Sequence, residues 1–150
     1  MTQLNSQHLR TYPKNPKQVY LFGTCLVDSF FPDSGMDAIT LLEQQGIEVL
    51  YPQGQSCCGQ PAYNSGYQDE AKAVALAQVK QFPLDIPIVI ISGSCGGMMR
   101  HHYLDLLDDL PEISTFCDRI FEFTEFLIHA LHLKFTDQGQ PERVALHTSC

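Results

Sequence analysis

Residues 86–92 (IPIVIIS) form an unbroken apolar run that ends at Gly93-Ser94-Cys95-Gly96-Gly97. A strand of that composition is buried on both faces, the condition of a central strand in a parallel sheet covered by helices. The flanking chain supplies its partners. Residues 18–23 (QVYLFG) read as a first strand, and Met36, Ile39 and Leu42 mark a helix from Gly35 to Gln45 closed by Gly46. Residues 47–51 (IEVLY) alternate as a second strand, and 52–66 read as an extended loop. Ala71, Val74, Ala75, Val79 and Phe82 place a helix over 67–82, stopped by Pro83. A helix over 98–110, a weaker strand over 113–116, a helix from Ile120 to Leu133, a polar linker over 136–143 and a last strand over 144–147 complete the order. Strands and helices alternate, so the expected fold is α/β, a three-layer sandwich around a mostly parallel sheet with right-handed crossovers.

That topology gathers chemistry. Cys25 lies just past the first expected strand, Cys57 and Cys58 past the second, and Cys95 past the third. In a parallel sheet these carboxyl ends share one edge, where open α/β folds place their ligands. Four cysteines separated by up to seventy residues therefore converge. Cys117 stands outside this set and reads as a buried core thiol. In the adjacent pair Cys57-Cys58 both side chains can meet one site only if the loop turns sharply, and Gly59 is the residue that permits it.

Composition narrows the function. The chain has 150 residues, 44% of them hydrophobic, enough for one core, with Lys+Arg 9 against Asp+Glu 17 and a net charge of −8. Such a surface repels phosphate backbones, so nucleic acid is excluded as a partner. No run reaches the roughly 20 apolar residues of a membrane span, and the polar start is no export signal, so a soluble, cytoplasmic protein is expected. In a reducing compartment, clustered cysteines point to metal or redox chemistry rather than to a disulfide framework.

The end of the chain echoes its beginning. Residues 16–25 align without gaps on residues 141–150 at a constant offset of 125, with Pro, Val, Leu and Cys matched, so that Cys150 mirrors Cys25. The expected organisation is a polar tail over 1–15, a first domain over 16–135, and over 136–150 a linker with the opening strand of a truncated second copy. An unpartnered strand of that kind is expected to add to a sheet edge, to pair with a second chain as a homodimer, or to stay loose.

Cys25, thirty-one residues, Cys57-Cys58-Gly59, thirty-six residues, then Cys95-Gly96-Gly97-Met98 resembles the cysteine-rich domain named for its Cys-Cys-Gly triplet. That domain occurs, usually twice per chain, in heterodisulfide reductases and related iron–sulfur oxidoreductases. Thr24-Cys25-Leu26-Val27-Asp28, the segment from Cys57 to Tyr67, Ser92-Gly93-Ser94-Cys95 and the segment from Glu122 to Leu127 are most similar to the lactate utilisation protein A branch. The resemblance implies an iron–sulfur electron-transfer subunit of a complex oxidising L-lactate to pyruvate, with other iron–sulfur subunits as partners and an acceptor left open. It implies Cys25, Cys57, Cys58 and Cys95 as ligands of a 4Fe-4S cluster, cubane or non-cubane. The family pattern ends in Cys-x-x-Cys, and its fourth position here is Met98, a poor replacement for a thiolate.

Thiolates suit both iron–sulfur clusters and zinc, so zinc on the same four cysteines is the alternative, giving a structural or assembly module. A thiol/disulfide couple of Cys57–Cys58 or Cys25–Cys95 is a third reading. Helix starts near Cys25 and Cys95 are expected to lower both thiol pKa values. His101 and His102 read as exposed, and His129 and His132 as structural. Asp28, Gln60, Asn64 and Tyr67 flank the cysteines as candidate hydrogen-bond partners of sulfur or substrate. No dinucleotide-binding glycine fingerprint is present, so the oxidation itself is expected to need other subunits.

Overall fold

The computed structural model describes residues 10–136, 139–143 and 145. Four strands, β1 (Gln18–Phe22), β2 (Glu48–Leu50), β3 (Ile88–Ile90) and β4 (Ile120–Glu122), form one sheet in the order β2-β1-β3-β4. Every pairing is parallel, with Gln18 opposite Glu48, Tyr20 opposite Ile88 and Ile88 opposite Ile120. The apolar run at 86–92 yields the central strand β3, whose three residues are buried. Strand alternation then divides the core. Tyr20, Phe22, Ile88, Ile90 and Ile120 face one layer, and Val19, Leu21, Val89 and Phe121 face the other.

The helices are α1 (Cys25–Phe30), α2 (Pro32–Gln44), α3 (Gln60–Asn64), α4 (Gln68–Val79), α5 (Gly93–Gly97), α6 (Tyr103–Leu106), α7 (Ile113–Asp118) and α8 (Phe123–Glu125). Wider π-helical turns at Met98–His102 and Phe126–Ala130 continue α5 into α6 and extend α8. Ala71 and Ala75 of α4, Tyr103 and Leu106 of α6, and Phe116 of α7 pack on the first face. Leu42 of α2 with Phe126, Leu127 and Ala130 packs on the second. Helices on both faces of a parallel sheet give the expected three-layer α/β arrangement. Full burial of each large aliphatic side chain contributes about 1.5–3 kcal/mol, so these two layers dominate the stabilisation.

Three local expectations are corrected. Residues 113–116 lie in α7 rather than in a strand, because Ile113, Phe116 and Cys117 recur at helical spacing and all three are buried. The fourth strand is instead Ile120–Glu122, where helix was expected, and it sends Ile120 and Phe121 to opposite faces of the sheet. The segment 52–66, read as loop, contains α3, which follows Gly59, and a short α1 precedes α2, started by Thr24, whose Oγ1 accepts from the Val27 N–H at 3.2 Å. The strand expected over 144–147, and Cys150 with it, lies outside the described residues apart from Ala145. From the expected tail, Arg10 and Tyr12 pack against β4 and α8, where both side chains bond Glu125.

Candidate functional site

The chain reverses its direction of growth across the sheet between β1 and β3, since β2 lies outside β1 on one side and β4 outside β3 on the other. At such a switch point the loops leaving neighbouring strands part and open a crevice at the carboxyl edge. Cys25 follows β1, and Cys95 follows β3 within α5, so both stand at that crevice. Cys57 and Cys58 come from the long connection after β2.

Three side chains that sequence reasoning did not single out fix that connection. Gln55 accepts from the Gly23 N–H at 2.9 Å and donates to the Leu21 carbonyl at 3.2 Å, which ties the loop to the end of β1. Gln78, a buried polar residue of α4, accepts from the Ser56 N–H at 3.1 Å and donates to Ser56 Oγ at 2.7 Å. Tyr103, fully buried in α6, donates its hydroxyl to the Cys58 carbonyl at 2.9 Å. Buried amides and phenols keep such partners because leaving them unmade is costly. A glutamine at an apolar helix position, such as Gln78 between Ala75 and Val79, is the signal from which one of the three could have been found.

The turn at the Cys-Cys pair follows expectation. Gly59 adopts φ 87°, a left-handed conformation that favours glycine, and a Cβ there would sit 3.4 Å from the Ala71 carbonyl. Its N–H donates to Cys57 Sγ at 3.4 Å.

The four thiols fall into two interacting pairs. Cys25 interacts electrostatically with Cys57, and Cys58 with Cys95. Charge on Cys95 also reaches Cys25, and charge on Cys57 reaches Cys58, so the two pairs share one neighbourhood. The hydrogen bond from Cys58, reinforced by the hydroxyls of Ser92 and Ser94, lowers the Cys95 thiol to about 6. The same pairing, with burial, pushes the Cys58 thiol strongly upward. The expected lowering therefore occurs at Cys95 and not at Cys25. There, desolvation and the neighbouring Cys57 raise the thiol, although it begins α1.

Cys25 and Cys57 open onto a cavity of about 370 Å³ that Thr24, Asp28, Gln55 and Ser56 also line. Asp28 accepts from the Tyr51 hydroxyl at 3.5 Å at its rim. Gln60 meets Cys58 through its backbone amide, whereas Asn64 and Tyr67 are exposed. His101 and His102 are exposed as expected, and the His102 ring packs on Tyr63 of α3 with centroids 4.6 Å apart. His129 stacks on Tyr12 at 5.0 Å, and His132 is exposed. Cys117 is buried in α7, donates to the Met99 carbonyl at 3.2 Å, and is pushed up to about 12 by its burial. Met98 is buried in the same cluster as Cys58 and Cys95, so the position of the family's fourth cysteine is filled by core packing.

Soft thiol donors at one edge fit a thiophilic group, and Cys25, Cys57, Cys58 and Cys95 are the residues that would hold it. Among the described residues, no group of three or more His, Cys, Asp or Glu stands closely enough to hold a single metal ion. No helix among the described residues is long and apolar enough to cross a membrane.

Known proteins bear on the same residues. The family model CCG, described as a cysteine-rich domain, matches residues 19–100, which takes in all four cysteines and β1 to β3. Lactate utilization protein A 2 of Bacillus cereus (strain Q1) is 40% identical over 137 residues, 89% of this chain and 57% of that protein. Lactate utilization protein A of Halalkalibacterium halodurans is 40% identical over 89% of this chain and 56% of its own length. The chain thus spans somewhat over half the length of the curated relatives it matches. No solved structure matches.

Proposed function

The chain belongs to the family of cysteine-rich CCG domains, and from that membership we propose that it is an iron–sulfur electron-transfer component of a complex that oxidises L-lactate to pyruvate. The observation that carries the reading is the electrostatic contact of Cys25 with Cys57 and of Cys58 with Cys95 beside the carboxyl edge of the sheet, in a chain 40% identical to lactate utilization proteins A.

Oxidation of lactate to pyruvate releases two electrons and two protons, and the electrons leave to an acceptor of the one-electron-carrier class. A cluster bound by the four thiolates supplies one-electron transfer. The chain's own contribution is to position those thiolates. Gln55, Gln78 and Tyr103 fix the Cys57–Cys58 loop. The Ser92 and Ser94 hydroxyls favour the thiolate at Cys95. Met98 leaves the motif with four thiols in total, counting the adjacent pair. The two-electron oxidation of lactate itself falls to other subunits of the complex, and the cytoplasm is the proposed location.

A strain whose only copy carries Cys57→Ser tests the reading. Growth on L-lactate as sole carbon source should fail, with growth on pyruvate unchanged. Normal growth on L-lactate would refute it.

A further inference from the structure

Between Lys17 and Lys72 the chain contains no Lys, Arg or His, yet it carries seven carboxylates, all of them exposed. This stretch builds β1, α1, α2, β2, α3 and the start of α4, so α1 and α2 carry carboxylates and no cationic side chain. From α1 to α2 lie four large apolar side chains that the fold leaves in solvent: Leu26, Phe30, Phe31 and Met36, each 55–72% exposed. Leu26 and Phe30 are four residues apart and share one face of α1. Asp28, Asp33 and Asp37 flank them on α1 and α2. Apolar groups this large and this concentrated mark an interaction surface rather than the scattered exposure of any folded chain.

We propose that the outer face of α1 and the start of α2 dock a protein partner that presents an apolar centre ringed by Lys and Arg. Charge selects that occupant. A second copy of this chain would set carboxylate against carboxylate, and nucleic acid or an anionic lipid surface would be repelled in the same way. The location gives the contact a use. α1 begins at Cys25, and the cavity shared by Cys25 and Cys57 is also lined by Asp28 and Ser29 of α1, so a partner seated on this face lies beside the thiol edge. The surface stands without the electron-transfer reading, which is needed only for what passes between the two proteins.

The test places a photo-crosslinking amino acid at Phe30, and in a control at Leu84, in the intact protein in its native cells. The product at position 30 should be a single partner protein whose crosslinked peptide combines apolar residues with Lys or Arg, and the control should not give it. The double substitution Asp33→Lys and Asp37→Lys should lower its yield by about tenfold, because rim charges set encounter. Iron and sulfide content of that variant, measured in parallel, should be unchanged, which separates failure of docking from failure of the cluster. Adducts within the chain, to a second copy, to lipid or to nucleic acid, no adduct, or a yield indifferent to the charge reversal would each overturn the proposal.

Discussion

Replacing Tyr103 by Phe removes one oxygen and leaves the shape of the core unchanged. The ring is fully buried in the layer that also contains Cys58, Cys95 and Met98, and its hydroxyl donates to the Cys58 carbonyl at 2.9 Å. Burial raises the phenol's pKa, so the proton that makes this bond is retained well into alkaline solution. In Tyr103→Phe the Cys58 carbonyl keeps its place but loses its donor. A buried acceptor left without a partner costs about 1–3 kcal/mol. For a chain of this length, about 2 kcal/mol lowers Tm by roughly 4–8 °C. Thermal unfolding of the metal-free protein, followed by circular dichroism, measures it, with the exposed Tyr67→Phe as the control that should stay within about 0.5 kcal/mol of the parent. Equal stability of the two variants would refute the claim that Tyr103 anchors the Cys-Cys turn.

Gly59→Ala forces a side chain into a backbone at φ 87° and should cost about 1–2 kcal/mol, read as a lower urea midpoint; an unchanged midpoint would mean the turn relaxes freely. Gln78→Ala removes both bonds to Ser56 and should destabilise by about 1–3 kcal/mol and speed amide exchange at Ser56; parent-like exchange would count against the anchoring role. Burial alone would raise the Glu125 carboxyl, but the Arg10 guanidinium at 2.6 Å holds it below the ordinary range. Its folded pKa lies below the unfolded one, so this stabilisation is complete above the ordinary carboxyl pKa and is lost as pH falls through the depressed value. Glu125→Gln should therefore lose less stability than the parent between neutral and acid pH in denaturant titrations, and identical losses would contradict the ion pair's role.

The central strand and the site's position were legible because both follow from local rules. A run of Ile and Val with no alternation has one stable environment, and a parallel sheet puts every strand's carboxyl end on one edge. The Cys57-Cys58-Gly59 turn was legible for the same reason, since Gly59 alone relieves a left-handed backbone there. Residues 113–122 were misread because Ile113, Phe116, Ile120 and Phe121 satisfy helix and strand spacing about equally over so short a span, and contact with β3 decides between them. The anchors Gln55, Gln78 and Tyr103 are tertiary. Each bonds a backbone group on another element, and only Gln78 breaks an apolar pattern that the sequence displays.

The most direct test of the central claim is the metal and sulfide content of the protein purified without oxygen from its native cells, compared with single Cys→Ser variants. Iron and acid-labile sulfide in comparable amounts are predicted, lost on substitution of Cys25, Cys57, Cys58 or Cys95 and retained in Cys117→Ser, whose thiol is buried in α7 and bonds the Met99 carbonyl. Zinc without iron or sulfide, no metal at all, or a cluster indifferent to those four substitutions would contradict it.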